Sequence, residues 1–483
     1  MRGLSKSRII NHQQCPKRLW LQVHRPELSQ TDASAQTRMD TGQVVGDIAR
    51  QLFPGGVLID TPDLAQAIQD TRALLAGPPR PLYEATFEVE GVLIRADLLI
   101  PDQGGYRLVE VKSATSVKDY YYADAAIQTW VVQRSQLPVT RIEIAHIDNS
   151  FVYPGHGAYQ GLLKHVDVTE DIGGLIDDVP RWIHEARATL DGAEPVVLPG
   201  KQCSEPYGCP FTAYCSPPVA GYPPEILPYN RGLADALRSE GYADLREVPE
   251  ECLHNDTHRR IWRATCAGTP ELNPQAGEQL RALPYPRYYL DFETINPAVP
   301  TWTGTRPYMQ VPFQWSCHIE YADGRMEHRA FLAENGDDPR RSFIEPLLET
   351  LGSDGPIFVY NIGFERSRLN ELRDPFPDLA SGIDAAVDRL VDLYPIAKAN
   401  YYHPEMRGSW SIKAVVPTID ADLGYDNLQV GGGEAAQAAY LEMTDPNTDE
   451  RRKHELYDAL LDYCQRDTLA MVKLAHFLQA GPE

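Results

Sequence analysis

Nowhere does the 483-residue sequence approach the about 18 consecutive apolar residues of a membrane span, so no crossing helix is expected. Cysteine is scarce, eight in 483 residues, which excludes a disulfide-stapled miniprotein. No apolar stretch of a secretion signal follows the first residues. That segment also lacks the serine content and unbroken helical pattern of a transit peptide, since Cys15-Pro16 interrupts it, so a reducing cytoplasm is the expected location. No internal repeat and no low-complexity segment occurs. An excess of positive charge is missing too. The 45 Lys+Arg against 68 Asp+Glu give -23, which taken alone argues against a protein that coats nucleic acid through a basic surface. The balance is uneven: residues 1–220 hold 20 basic and 26 acidic side chains, net -6, leaving 25 and 42, net -17, for the rest. Residues 1–25 hold six basic side chains (Arg2, Lys6, Arg8, Lys17, Arg18, Arg25) and no acid, which predicts a local positive face.

What is present is ordinary globular composition, 43% hydrophobic and 23% charged, in a length that fits two or three domains at roughly 100–200 residues each. The periodicity predicts a mixed α/β protein. Residues 1–218 open with helices over Ser5–Val23 and Asp40–Phe53. A meander of strands follows (Leu82–Val89, Val92–Ile100, Tyr106–Lys112), then a helix over Asp119–Gln133 and a strand over Arg141–Ile147. A proline-rich run starting at Pro217 introduces residues 219–286, read as a helical connector with helices over Leu233–Glu240, Asp244–Glu251 and His258–Ala267. Residues 287–483 restart with strands Tyr288–Phe292, Phe313–Glu320 and Ile357–Tyr360 and continue mostly helical.

Three groups of residues carry chemistry. In the meander, Asp97 and Glu110 can converge across the hairpin, and Glu110 and Lys112, two apart, share a strand face. Two carboxylates with the carbonyl of Val111 make a hard oxygen site suited to Mg2+ or Mn2+. Lys112 can position water or offset phosphate charge, and Gln128 on the next helix can orient substrate or lysine. This points to phosphodiester chemistry. Tyr120, Tyr121, Tyr122 and Trp130 suit base stacking or core packing equally.

Cys203, Cys209 and Cys215 crowd one short segment, with Cys15 as a fourth thiol. Four soft ligands suit tetrahedral zinc or an iron-sulfur cluster, and the absence of CxxC speaks against a zinc ribbon. Cys252, Cys266, Cys317 and Cys464 are expected as free buried cysteines, Cys464 with its side chain turned away from the neighbouring motif.

The third group begins with Asp291 and Glu293 at i and i+2 on an apolar strand, a costly pair unless cations compensate it. Glu365 opens a helix after the strand at Ile357, and Tyr463 and Asp467 stand at i and i+4 on one helical face. Four acids can hold two metal ions, with Tyr463 orienting water.

The pattern D-x12-ExK-x15-Q over about residues 5–215 resembles the RecB-like branch of the PD-(D/E)XK nucleases, and the one-plus-three cysteine arrangement resembles its iron-sulfur members, including the CRISPR-associated RecB-like exonucleases. That resemblance implies a restriction-endonuclease-like fold with Asp97, Glu110, Lys112 and Gln128 as site residues. It also implies a [4Fe-4S] cluster, zinc being the alternative, on Cys15, Cys203, Cys209 and Cys215. Where that branch often has G-x3-H, this chain has Gly42-x3-Gly46, leaving Gln43, Asp47 or Glu84 as substitutes. The DxE, Asn361-x-x-Phe364-Glu365 and YxxxD motifs over about residues 287–479 resemble the DEDDy class of RNase H-like 3′-5′ exonucleases. Val391-Asp392-Leu393 and Ser411-Ile412-Lys413 fall where that class has its central strand and helix. Glu365 replaces the usual Asp, moving the carboxylate by roughly an ångström. With Pro312-Phe313-Gln314-Trp315-Ser316, this block also resembles a bacterial domain of unknown function fused to RecB-like nucleases. The resemblances together imply two nuclease domains joined by a helical connector, Mg2+ or Mn2+ dependent. DNA is the expected partner ahead of RNA, in repair, processing or defence, and no helicase or other protein partner is specified. The alternatives are an RNA-processing exonuclease, or a nucleic-acid end-binding protein with only the C-terminal site active.

Overall fold

A computed structural model describes residues 3–30, 33–216, 220–229, 231–425 and 427–481. Arg2 and the expected boundary at Pro218 lie outside these residues. The fold is mixed α/β, and by its internal contacts the chain forms two units, Met1–Pro218 with Pro297–Met309, and Val219–Asn296 with Gln310–Glu483. Among the described residues no helix is long and apolar enough to cross a membrane.

Unit 1 is built on a seven-stranded sheet: β1 (Leu4–Ser5), β2 (Val57–Leu58), β3 (Leu82–Val89), β4 (Val92–Asp102), β5 (Gly105–Lys112), β6 (Val139–Ile147) and β7 (Leu163–Asp167). The path runs β2-β3-β4-β5-β6-β7, with β3, β4 and β5 the expected antiparallel meander, and β1 lies parallel to β4 at Val92 and Leu93. One face of the sheet packs on helices Lys6–Gln14, Pro16–His24, Asp119–Arg134 and Gly173–Asp191 through Ile9, Leu19, Ile127, Trp130, Trp182 and Ile183. Tyr121 and Trp130 are therefore core residues. The first helical stretch is two helices because Pro16, which lacks an N–H, starts the second. The opposite face packs on Val45, Ile48 and Ala49 of the helix Ala33–Gln51 and on Ala298 and Val299. Residues 297–309 thus belong to unit 1, although local pattern alone groups them with the strands that flank them.

Unit 2 holds a five-stranded sheet ordered β11-β10-β9-β12-β13, together with the small pair of β8 (Glu271–Leu272) and β14 (Tyr401–Tyr402). Its strands are β9 (Arg287–Ile295), β10 (Val311–Glu320), β11 (Met326–Leu332), β12 (Ile357–Val359) and β13 (Leu390–Asp392). The pairs β9–β10 and β10–β11 are antiparallel, and β9–β12 and β12–β13 are parallel. Tyr288, Leu290 and Phe292 face a core with Phe343, Ile344 and Leu347. Tyr289 faces another with Phe358, Leu393, Met471 and Leu474. The latter core also takes Leu237, Leu245, Val248, Ile261 and Leu280. The stretch expected as a connector is therefore part of unit 2, because its short helices have apolar faces that must be covered. Within it, the expected helix over Asp244–Glu251 is two 3-10 turns, Leu245–Glu247 and Glu250–Cys252, each starting after an extended residue.

Candidate functional site

Strand alternation puts Asp291 and Glu293 on one face of β9, opposite the core-facing Leu290 and Phe292. The 31-residue helix Glu450–Ala480 lays Tyr463 and Asp467, one turn apart, against them. Ligand oxygens of Asp291, Glu293 and Asp467 all lie within 4.8 Å of one another, and among the described residues no other set of three His, Cys, Asp or Glu is this tight. Glu293 and Asp467 are buried and Asp291 half-buried. Desolvation raises all three carboxyls: Asp291 well above the usual range and Glu293 to about 8, each with repulsion from Asp467 added, and Asp467 upward against the opposing Tyr425, Lys413 and Tyr463. Glu365, at the start of the helix Gly363–Glu371, stands outside the tight set yet close enough to add to the rise of Asp291. It is 2% exposed, burial pushes it to about 8, and its Oε2 has no hydrogen-bond partner. A converging set of buried oxygens with one orphaned acceptor beside it fits a hard divalent cation.

Two residues at this site went unassigned in the sequence. Lys413 donates to Tyr463 Oη at 3.1 Å and to the Gly431 carbonyl at 2.7 Å, and its ammonium lies over both the Tyr463 and Tyr425 rings. Tyr425 donates to Asp467 Oδ1 at 2.5 Å. Lys413 comes from the four-residue helix Ile412–Val415 and Tyr425 from an irregular segment, both too short to leave a period that marks them. Cys464 is buried as expected, but its Sγ lies 3.9 Å from Asp291 Oδ2 rather than turned away, because β9 passes directly under that helical turn. Cys317 is buried too, whereas Cys266 is exposed and Cys252 half-buried, both being in the thinly covered 3-10 and helical region.

In unit 1 the ladder between β4 and β5 stops at Leu98↔Val109, and the next residues meet through a side chain. Val111 donates its N–H to Asp97 Oδ2 at 2.7 Å. Glu84, facing Asp97 between the pairs Tyr83↔Leu98 and Ala85↔Ala96, sits at φ 56°, a left-handed conformation that non-glycine residues adopt at a cost. Buried Glu110 accepts from Lys112 at 2.8 Å and from Lys6 at 2.7 Å on Oε1, and from Gln128 on Oε2. Lys112 also reaches Asp124 at 2.6 Å. Asp97 is raised to about 7, by burial first and then by Glu110; for Glu110, burial is outweighed by Lys112 and Lys6 and the carboxyl lies well below the usual range. The structure thus brings together Asp97, Glu110, Val111, Lys112 and Gln128 and adds Lys6 and Asp124. Of the proposed histidine substitutes, Glu84 is within electrostatic reach of Glu110, while Asp47 pairs with Arg50.

Cys15, Cys203, Cys209 and Cys215 line one small cavity with Lys17 and Arg18. All four are partly buried, so their sulfurs are available to a soft metal or cluster. Tyr207, between the second and third thiols in the chain, packs edge-on against Tyr120 at 5.1 Å. The expected positive face is largely spent. Lys6 pairs with Glu110, Lys17 with Glu194 at 3.0 Å, and Arg25 with Glu27 at 2.5 Å, while Arg8 donates to the Gly3 carbonyl.

Comparison with known proteins places a match to a domain of unknown function (DUF2779) over residues 288–411, a span that holds Asp291, Glu293 and Glu365 but not Lys413, Tyr463 or Asp467. The chain is similar to the uncharacterized protein UU173 of Ureaplasma parvum, 27% identical over 217 residues, 40% of this chain and 31% of that protein. It is also similar to the uncharacterized protein MG366 of Mycoplasma genitalium, 25% identical over 212 residues, 40% of this chain and 32% of that protein. The chain thus spans about a third of the length of the curated relatives it matches.

Proposed function

We propose that this chain is a metal-dependent nuclease whose principal site is the Asp291–Glu293–Asp467 group of unit 2, with Glu365 as the fourth acid. The observation that carries the reading is the convergence of three carboxylates within 4.8 Å in a desolvated position, an arrangement that is unfavourable until a cation neutralises it. A bound Mg2+ or Mn2+ supplies a low-pKa water and offsets charge on a phosphodiester. The chain's own part is to hold the carboxylates converged, to present the Tyr463 hydroxyl beside them, and to fix that hydroxyl with Lys413. The order of motifs supports an RNase H-like 3′-5′ exonuclease of the DEDDy kind, acting on DNA ahead of RNA in repair, processing or defence.

For unit 1 the best-supported reading is a RecB-like PD-(D/E)XK domain with a restriction-endonuclease-like fold. The four thiols would hold a [4Fe-4S] cluster, favoured over zinc by the absence of a CxxC pair among them. A second reading, that unit 1 only grips a nucleic-acid end, is favoured by the two lysines and the glutamine already occupying Glu110.

End-labelled single- and double-stranded DNA and RNA incubated with Mn2+ test both readings. Wild type should degrade at least one substrate, and Asp291→Ala/Glu293→Ala should lose that activity. Loss confined to this variant, with Asp97→Ala/Lys112→Ala active, makes unit 1 a binder. Intact substrates throughout sink the enzyme reading. Visible absorption of the purified chain separates an iron-sulfur cluster from colourless d10 zinc.

A further inference from the structure

We infer that Lys6 is a resident cation of the unit 1 carboxylates, one that competes with a divalent metal for Glu110 and that, once displaced, becomes available to phosphate. The inference rests on reading Asp97 and Glu110 as metal ligands, but not on either unit cutting nucleic acid.

Its basis is how Glu110 is used. This side chain is 4% exposed in a site where every lone pair matters, and three donors already hold it: Lys6 and Lys112 on Oε1 and Gln128 on Oε2. Two ammonium groups on one oxygen exceed the charge of a single carboxylate. The groups facing Lys6 are Glu110, Asp124 and Asp97, which attract it, and Lys112, which repels it, with Glu84 also in reach. Three of the about four acceptor positions of Glu110 are thus filled, so a divalent ion held by Asp97 and Glu110 would compete with the lysines wherever it drew on Oε1.

The two lysines are not equivalent. Lys112 stands on β5 two residues from Glu110 and is tied to Asp124 at 2.6 Å, so it has a second carboxylate to keep it in place. Lys6 comes from another element. Leu4 and Ser5 pair with Val92 and Leu93 of β4, Leu4 is fully covered, and Ser5 caps the helix that begins at Lys6 by accepting from Arg8 N. The backbone is thereby fixed while a flexible four-carbon stem carries the charge. The Lys6 side chain is 19% exposed, close to the 16% of Lys112, so the tie to a second carboxylate rather than exposure is what separates the two lysines. An ammonium released from Glu110 would keep its charge beside the site, where a phosphate could take it as a partner.

The test is Mn2+ titration of the full chain carrying Asp291→Ala/Glu293→Ala, which removes the unit 2 site, followed by the spectroscopic signal of free Mn2+. Adding Lys6→Gln should tighten Mn2+ binding about tenfold, as loss of one unit charge several ångströms from a divalent ion implies in a well-screened site. Lys6→Arg, which keeps the charge, should stay within about threefold of the background. With Mn2+ saturating, Lys6→Gln should bind a 5′-phosphorylated oligonucleotide several-fold more weakly. Lys6→Met serves as the neutral variant if thermal melting shows Lys6→Gln misfolded. Mn2+ affinity unchanged or weakened on neutralising Lys6, or no uptake in any variant, overturns the inference. Tighter Mn2+ binding in Lys6→Gln together with a wild type that degrades no nucleic acid overturns the nuclease reading and leaves this one standing.

Discussion

Glu293 and Glu365 are carboxyls whose burial outweighs their charge. Desolvation, then Asp467 for Glu293 and Asp392 for Glu365, pushes both to about 8 from an ordinary value of 4.5. Because the folded value lies above the unfolded one, their contribution to stability is fully present below about pH 4.5 and is lost as pH rises toward 8, at most about 1.4 kcal/mol per pH unit for each group. The chelator-treated protein should therefore melt at progressively lower temperature from pH 5 to 8, the decline should flatten in Glu293→Gln, and Mn2+ should reverse it. A melting temperature that climbs over this range counts against buried, metal-free carboxyls. Lys413 acts on the same group from the other side, accepted by Tyr463 Oη at 3.1 Å and anchored on the Gly431 carbonyl. Lys413→Gln should lower kcat about 10- to 100-fold with KM little changed, below the about 10²- to 10⁴-fold of a group that itself transfers a proton because Lys413 acts through Tyr463, and Lys413→Arg should recover part of it. A loss carried wholly by KM would make Lys413 a substrate contact instead. Asp291, Glu293, Tyr463 and Asp467 were legible in the sequence because each pair lies within one regular element, where period fixes the face. Lys413, Tyr425 and Lys6 were not, since they reach their partners from irregular or distant segments.

Elements carry the fourth acid into place. Asn361, at φ 79°, ends the turn after β12, and the N–H groups of Asn361 and Ile362 donate to Asp392 at 3.0 and 3.1 Å. The same carboxylate caps the helix Leu393–Asn400 by accepting from Tyr394 N at 2.9 Å. Asp392 at the end of β13 thus fixes two helix starts, one of which presents Glu365. Asp392→Ala should cost about 1–2 kcal/mol in chemical denaturation and reduce unit 2 activity, whereas Asp392→Asn, which keeps an acceptor, should cost less. Equal losses in the two variants would show that the charge rather than the cap matters. The meander and β9, β10 and β12 followed from alternation and β-branched content. Strands of two residues such as β1 and β2, the exposed edge strand β11 and the 3-10 turns are too short or too polar to leave a period, and only tertiary pairing reveals them.

At the scale of the whole chain, local counting misleads in two places. Residues 297–309 read as part of the segment around them, yet Ala298 and Val299 are buried in a unit 1 core, and Tyr153 N–H donates to the Thr305 carbonyl at 2.9 Å. The chain accordingly passes between the units at 218–219, 296–297 and 309–310. Charge behaves the same way. Six basic residues without an acid in residues 1–25 look like a phosphate-binding face, but folding brings Glu110 to Lys6 and Glu194 to Lys17, and places Glu27 on Arg25. Against a total of -23, few cations remain to release counterions from nucleic acid. Without divalent metal, binding of a labelled oligonucleotide should be weak, with a log–log salt slope no steeper than about -3, the value for about three neutralised phosphates. Saturating Mn2+ should strengthen binding, because metal charge, together with a Lys6 freed from Glu110, then meets the backbone. Anisotropy titrations from about 50 to 200 mM KCl measure this, and a metal-free slope near -5, about that of six phosphate contacts, would mean that the basic residues abandon their carboxylate partners for the nucleic acid.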